Sequence, residues 1–185
     1  QRYYSIEIHM DIPLLLFLSI TILGLNHNAE GSPFSFREAT VHDIRIALDH
    51  NRLTSQELVK FYLNEIRRLN PVLNGVIEVN PDALYLAHKA DQDRKAKKPG
   101  SETGLAGIPI LLKDNIATKD KLNTTAGSYA LLGSIVPQDA GVVKKLRKVG
   151  AIILGKASMT EWAAFRSNNV PNGWNARRGQ SVVSC

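Results

Sequence analysis

The chain has 185 residues, of which 44% are hydrophobic and 22% are charged, and this composition excludes disorder as a description of the whole chain. Its length is sufficient for one domain with a sizeable hydrophobic core. The formal net charge of +6 would suit an anionic partner. However, the basic residues lie at helical spacing in two clusters, at 94–98 and 144–148, without interleaved aromatic residues. We therefore interpret both clusters as solvated helix faces and expect no nucleic acid partner.

Residues 1–31 are predicted to lie outside the folded domain, which we expect to span residues 32–185. Met10 is followed by a mostly apolar stretch at 12–25 that carries no charge and is too short to span a bilayer comfortably. Small residues up to Gly31 then resemble a signal peptidase site, and we expect cleavage before Ser32. The sequence thus predicts a protein that is secreted or enters the endomembrane lumen, without a stable membrane span. A signal anchor and upstream read-through sequence are the alternatives.

Two helices with capping signals are predicted first. Thr40 precedes the first helix, with Asp43 at the capping-box position. Thr54 and Glu57 form a stronger capping box for the second helix, which Pro71 is predicted to end. The apolar face of the first helix would comprise Val41, Ile44, Ala47 and Leu48.

A short strand at 76–79 and a third helix after Pro81 are predicted next. We expect the third helix to turn Leu84, Ala87 and His88 towards the core. His88 has no second ligand at metal-binding spacing, so we interpret it as structural. Neither a metal nor an organic cofactor is expected elsewhere, since no cluster of His, Cys, Asp and Glu has ligand spacing.

The central strand is predicted at 108–112, a short apolar run followed by Lys113. Such a run is typical of a strand buried on both faces by helices. Lys113 would then lie at the carboxyl end of the strand, where open α/β sheets place their ligand sites. Apolar surroundings favour an uncharged amine, which can accept a proton. The alternative is a solvated lysine that simply ends a strand.

The remaining elements predict a strand, helix, strand crossover. After a short helical turn at 129–132, Asp139 is the expected N-cap of a helix that ends at Gly150, and residues 151–154 form the next strand. This order favours parallel pairing and an α/β sheet with helices outside it. Ser158 is expected to cap one more helix, with Glu161 at the capping-box position.

Three motifs occur in order: GIPILLKDN at 107–115, TTAGS at 124–128 and GAIILGKASMTEW at 150–162. Together they resemble the amino-terminal half of the amidase signature family, over about residues 36–180. The resemblance implies an α/β fold with a mixed or parallel sheet covered by helices, of which this chain is the amino-terminal part. It also implies hydrolysis of small-molecule amides by a Ser, cis-Ser, Lys triad, in which Lys113 takes the position of the catalytic lysine.

The resemblance places the loop at 124–128 against the active site. Gly127 would permit close backbone approach, and the hydroxyl groups of Thr125 and Ser128 would support the lysine or the substrate. From the residues alone, Gly127 and Ser128 predict only a turn. Lys156 and Glu161 lie in the third motif, and we interpret them as structural residues with an ion-pair or capping role.

The resemblance puts both serines of the triad in a Gly/Ser-rich loop, and no such loop occurs up to Cys185. Ser181 and Ser184 lack the neighbouring glycines that an oxyanion site needs, so neither is assigned as the nucleophile. We therefore expect an incomplete and inactive fragment. The alternatives are a protein that resembles the catalytic subunit of a glutamine-dependent amidotransferase and a secreted pseudoenzyme without catalysis. The oligomeric state stays open.

Asn123 begins the sequence Asn-Thr-Thr, a glycosylation acceptor that would be usable only in a secreted chain. It adjoins the loop at 124–128, and we expect it to be mostly unmodified. Cys185 is the single cysteine, so no disulfide can form within the chain.

Overall fold

The computed structural model of the protein describes residues 34–102 and 104–182. The predicted signal sequence therefore lies outside the described residues. Within them, the elements in chain order are α1 (Val41–Asp49), α2 (Ser55–Leu73), β1 (Val76–Val79), α3 (Ala83–Lys95), β2 (Pro109–Lys113), α4 (Gly141–Lys148), β3 (Ile152–Ala157), β4 (Trp174–Asn175) and β5 (Gly179–Gln180). Short 3₁₀ turns occur at Tyr129–Leu131 and Glu161–Ala164.

The main sheet is mixed, with the strand order β1, β3, β2. β2 and β3 pair in parallel across the α4 crossover, whereas β1 pairs antiparallel to β3. The predicted α/β class and the parallel crossover are thus confirmed. The prediction that β2 is central is wrong, because in the described residues β3 takes the middle position and β2 lies at an edge.

Helices cover both faces of β3. On one face, Ile152 and Leu154 pack against Val59 of α2 and Ala87 of α3. On the other face, Ile153 packs with Val143 of α4. This alternation follows from the two-residue period of a strand, and it accounts for the nearly continuous apolar sequence of β3.

β2 is covered on one face only within the described residues. Leu112 is buried in the same cluster as Val143, while Leu111 is 40% exposed and Lys113 is exposed. The expectation of a strand buried on both faces is therefore wrong, because at its carboxyl end β2 is packed only on the face that carries Leu112. The consequence is that Lys113 faces solvent.

Both predicted capping boxes are present. The hydroxyl groups of Thr40 and Thr54 accept hydrogen bonds from the backbone N–H groups of Asp43 and Glu57, whose carboxylates accept hydrogen bonds from the cap residues in return. The predicted end of α2 at Pro71 is wrong, since the helix continues to Leu73. Pro71 lies in the last turn, where its missing N–H removes a single hydrogen bond.

The inward face of α3 agrees with the prediction at Ala87 and differs from it at Leu84 and His88. Ala83, Ala87 and Asp91 are buried, whereas Leu84 and His88 are exposed. Asp91 determines this orientation, because its carboxylate accepts hydrogen bonds from the backbone N–H groups of residues 55 and 56, at 2.8 and 3.1 Å. A carboxylate at the amino end of α2 is favoured by the helix dipole, so Asp91 joins the two helices.

Two predicted caps near the sheet are wrong. α4 begins after Ala140, and Asp139 instead accepts hydrogen bonds from Lys119 N and Arg147 Nε. No α-helix occurs between Ser158 and residue 182, because residues 162–164 all have positive φ values and form only a 3₁₀ turn. Gly150 has a φ of +76° directly after α4, as its predicted role requires.

None of the helices between residues 34 and 182 has the length and apolarity needed to cross a bilayer. The described residues also contain no group of three or more His, Cys, Asp and Glu side chains that could hold a metal ion. His88 lies at the surface, where Nδ1 is 3.1 Å from Gln56 Nε2.

Candidate active site

Lys113 is the last residue of β2, at the carboxyl end of the parallel strand pair. Its Nζ donates a hydrogen bond to the backbone oxygen of Ser158 at 2.9 Å. The side chains alternate along the strand, so that Leu112 and Asp114 are buried and Lys113 between them is exposed. The amine is therefore anchored by one acceptor and open on its other side.

The neighbouring Asp114 is completely buried. Its Oδ2 accepts hydrogen bonds from Thr125 Oγ1 and from Gly127 N, the latter at 2.9 Å. Its backbone oxygen accepts from the N–H groups of Thr125 and Ala126, at 3.1 and 3.3 Å. One residue thus attaches the loop at 124–128 to the end of β2 by four hydrogen bonds.

Arg177 completes the network from a distant part of the chain. Its Nη1 donates to Thr125 Oγ1 at 3.1 Å and lies 3.9 Å from Asp114 Oδ1. Its Nη2 donates to Glu78 Oε2 at 3.1 Å. Glu78 also accepts a hydrogen bond from Asn123 Nδ2 at 3.0 Å, so the loop is held at both of its ends.

The loop residues predicted for the site have well-defined local roles. Gly127 has a φ of +77°, and a Cβ atom there would lie 2.6 Å from Asn175 Cβ. The close backbone approach is therefore made to Asn175 within this chain. Ser128 is buried and accepts a hydrogen bond from Ala130 N at 3.4 Å, which begins the 3₁₀ turn. The hydroxyl groups of Thr125 and Ser128 have no hydrogen bond to Lys113 among the described contacts.

The hydroxyl group of Ser158, whose backbone oxygen binds Lys113, is already hydrogen-bonded. Ser158 Oγ accepts from Asn175 Nδ2 at 2.8 Å and from Ser181 Oγ at 2.7 Å. Ser181 Oγ also lies 3.1 Å from the backbone oxygen of Asn74. These bonds hold the segment after β5 against the end of α2. Ser184 lies outside the described residues.

Lys156 is a second lysine close to the loop and is fully buried. Its Nζ donates to Ile116 O at 2.6 Å and to Thr124 Oγ1 at 3.0 Å. The expected ion pair is absent from the described residues, because these two uncharged acceptors occupy the amine. Burial lowers the pKa of Lys156, an effect that the negative charge of Asp114 partly opposes. Lys156 thus fastens the segment that leads from β2 to the loop.

Glu161 connects the third motif to the turn between β4 and β5. Its Oε2 accepts a hydrogen bond from Ala176 N at 2.9 Å, and its ionic contact with Arg166 is long, at 4.0 Å. The predicted capping box is absent, since Thr160 is the N-cap residue of the 3₁₀ turn. Glu161 is therefore a structural residue that forms an ion pair, one of the two predicted roles, and that also holds the turn at Ala176.

Sequence reasoning missed Asp114, Glu78 and Arg177 as parts of the site. The strand period offered a signal for Asp114, because residues two apart share a face and Leu112 lies on the buried one. For Glu78 and Arg177 no local signal exists. Both residue types are usually solvated, and 99 positions separate them.

Comparison with known proteins identifies similar sequences. The profile of the family described as Amidase matches residues 57–176. An Arabidopsis thaliana protein named "Probable amidase" is 60% identical over 146 residues, which cover 79% of this chain and 28% of that protein. One subunit of the Coxiella burnetii glutamyl-tRNA(Gln) amidotransferase is 37% identical over 147 residues, covering 76% of this chain and 30% of that subunit.

Solved structures are similar over the same part of the chain. The native peptide amidase from Stenotrophomonas maltophilia has 42% identity and a TM-score of 0.74, and the match covers 80% of this chain and 30% of that enzyme. An amidase family protein from Bacillus anthracis has 39% identity and a TM-score of 0.72, and the match covers 79% of this chain and 29% of that protein. The chain thus spans less than a third of the length of these relatives.

Substitution of Gly127 tests whether the loop needs a glycine for space as well as for backbone conformation. Gly133 is a matched control, because its φ is +78° and no atom lies within 4 Å of the position that a Cβ would take there. We expect Gly133→Ala to cost about 1–2 kcal/mol of unfolding free energy from left-handed strain alone. Gly127→Ala should cost roughly 1–3 kcal/mol more from the overlap with Asn175. Urea unfolding measures both, and equal losses would show that the close approach is absent.

The buried amine of Lys156 predicts a pH dependence of stability. Because its pKa is lowered on folding, the unfolded chain holds this proton up to a pH of ~10.4, where free lysine titrates, and the folded protein loses it earlier. The unfolding free energy should therefore rise with pH between the folded pKa and ~10.4, relative to Lys156→Met. Lys60→Met, which removes an exposed lysine of α2, controls for the loss of one positive charge. Parallel curves for the wild type and Lys156→Met would contradict a lowered pKa.

Proposed function

Because the chain belongs to the amidase signature family, we propose that it forms the amino-terminal part of an enzyme that hydrolyses carboxamide C–N bonds. The proposal is supported by the family match over residues 57–176 and by the similarity to the Stenotrophomonas maltophilia peptide amidase. The other parts of the site would come from sequence equivalent to the rest of these relatives. The substrate is an amide of a small molecule or peptide.

The observation that carries the proposal is the placement of Lys113. Its amine has one fixed acceptor, Ser158 O at 2.9 Å, and lies at the carboxyl end of a parallel strand, where ligands bind in open α/β sheets. The next residue, Asp114, is locked by the loop at 124–128. A base needs such positioning, since its amine must be within hydrogen-bond reach of the proton that it accepts.

In the proposed mechanism, Lys113 Nζ in its neutral form accepts a proton from the cis-serine hydroxyl. The cis-serine takes a proton in turn from the nucleophilic serine, whose oxygen attacks the carbonyl carbon. The tetrahedral intermediate collapses when the same relay returns a proton to the leaving nitrogen and the C–N bond breaks. Water then hydrolyses the acyl-enzyme by the same route. Both serines would lie in sequence after Cys185.

The open face of β2 fits this proposal. Leu111 and Lys113 are exposed on it, whereas the other face of the strand is packed against α4. Further sequence that covers this face would exclude water from Lys113 and favour the uncharged amine. A pocket formed there would place an amide between Lys113 and the covering segment.

Two other functions are alternatives. The chain is 37% identical to the amidotransferase subunit from Coxiella burnetii and 60% identical to the Arabidopsis thaliana protein, and the higher identity favours an amidase. A pseudoenzyme would keep the fold of this part without the nucleophile. The predicted secretion of the protein would favour an amidase over an amidotransferase. Amino-terminal sequencing of the exported protein tests this prediction, and we expect Ser32 as the first residue.

A chimera tests the proposal directly. Residues 34–182 replace the equivalent segment of the Stenotrophomonas maltophilia peptide amidase, and release of ammonia from a peptide amide is measured. We expect activity in the chimera, reduced roughly 10²- to 10⁴-fold by Lys113→Ala because the general base is lost. Lys60→Ala, which removes an exposed lysine on α2, should have no effect. The 185-residue chain alone should release no ammonia.

Thermal unfolding of each chimera separates loss of folding from loss of catalysis. A folded Lys113→Ala chimera with full activity would refute the role of Lys113. Release of ammonia by the 185-residue chain, abolished by Lys113→Ala, would instead show that the nucleophile lies within this chain.

A further inference from the structure

Members of the two basic clusters, which are distant in sequence, line one cleft together with Lys89. The cleft has a volume of about 390 Å³. One wall consists of the last turns of α3 and the turn that follows it, and the other wall is the end of α4. The segments that lead into β2 and β3 form the floor. The residues that matter for its charge are Lys89, Asp93, Lys98, Arg147 and Lys148.

Positive charge predominates in the cleft, with four cationic side chains and a single carboxylate. Lys98 forms an ion pair with Asp93, and Arg147 pairs with Asp120 and Asp139 outside the lining. Lys89 and Lys148 are exposed, and neither forms an ion pair within the part of the chain that the structure describes. Two uncompensated amines therefore face a concave surface.

A buried cation lies beneath the floor. The Arg94 side chain is 10% exposed and pairs with Asp91, but its Nη1 is buried without a hydrogen-bond partner among the described residues. This atom would lie 3.2 Å from a Cβ on Gly107, which belongs to the floor. The Asp91 carboxylate offsets the charge of this guanidinium group, so the unpaired Nη1 contributes a hydrogen-bond donor close to the floor and no net charge.

The ends of α3 and α4 explain why basic residues occur here, because cations are favoured at the carboxyl ends of helices. They do not explain why two such ends converge on one concave surface. We propose that this cleft binds a small anion with two or more negative charges, of the phosphate or diphosphate class. Its volume is at the lower end of the range of ligand sites, about 300–1,000 Å³.

The cleft is separate from the proposed active site. Its floor lies at the amino ends of β2 and β3, whereas Lys113 lies at the carboxyl end of β2. At ~3.3 Å per residue, the length of β2 separates the two by roughly 13 Å. An anion in the cleft would therefore not compete with an amide at Lys113, and the proposal does not depend on the proposed function.

Titration of the purified protein with inorganic pyrophosphate tests the site. We expect saturable binding by calorimetry, and amide chemical-shift changes centred on Gly107 and Gly150. Lys89→Gln and Lys148→Gln should each weaken binding by roughly two- to fivefold, as expected for loss of one exposed charge contact. Lys145→Gln is the matched control, because Lys145 is exposed on the same helix as Lys148 but does not line the cleft.

Three results would overturn the proposal. The first is that sodium chloride at equal ionic strength reproduces the shift changes, which would show a general salt effect. The second is that Lys145→Gln weakens binding as much as Lys148→Gln, so that only the net charge matters. The third is binding that fails to saturate. All three variants change exposed side chains, and their thermal unfolding confirms that each one is folded.

Discussion

The hydrogen bonds of the buried Asp114 carboxylate are the constraint on which this part of the molecule depends. Asp114 continues β2 and holds Thr125 and Gly127 through one carboxylate oxygen. A buried carboxylate requires such partners, because an unpaired one would be costly to remove from water. Arg177 lies 3.9 Å from the other oxygen, and it joins the loop to Glu78 on β1. Three distant segments thus meet at one side chain.

This arrangement determines where Lys113 lies. Since side chains alternate along a strand, burial of Leu112 and Asp114 directs Lys113 to the opposite face, where its amine reaches Ser158 O at 2.9 Å. Lys156 secures the connecting segment from the buried side through Ile116 O and Thr124 Oγ1. The two lysines therefore differ in role: Lys156 is enclosed and structural, whereas Lys113 is held in place but remains accessible. Accessibility together with fixed position is what the proposed base requires.

Local signals in the sequence were sufficient for much of the fold. Neighbouring residues predict the capping boxes at Thr40 and Thr54, the strand at 76–79, and the crossover helix that ends at Gly150. The order of the strands did not, because β1 pairs with β3 across a long stretch of sequence. The inward face of α3 was predicted correctly only at Ala87, because the hydrogen bonds of buried Asp91 that turn Leu84 and His88 to the surface have no local signal. For the site, the position of Lys113 at the end of β2 was predictable, but the ionic network beneath it was not, because its members are residue types that normally lie in solvent.

A double-mutant cycle on Asp114→Ala and Thr125→Val tests the central claim, that this carboxylate holds the loop through Thr125. The unfolding free energies of the wild type, both single variants and the double variant are measured in urea. If the contact organises the loop, the two substitutions should be non-additive by roughly 1–3 kcal/mol, because each removes a partner of the same network. Additivity within about 0.5 kcal/mol would contradict the claim and leave Asp114 as an ordinary buried residue beside the loop.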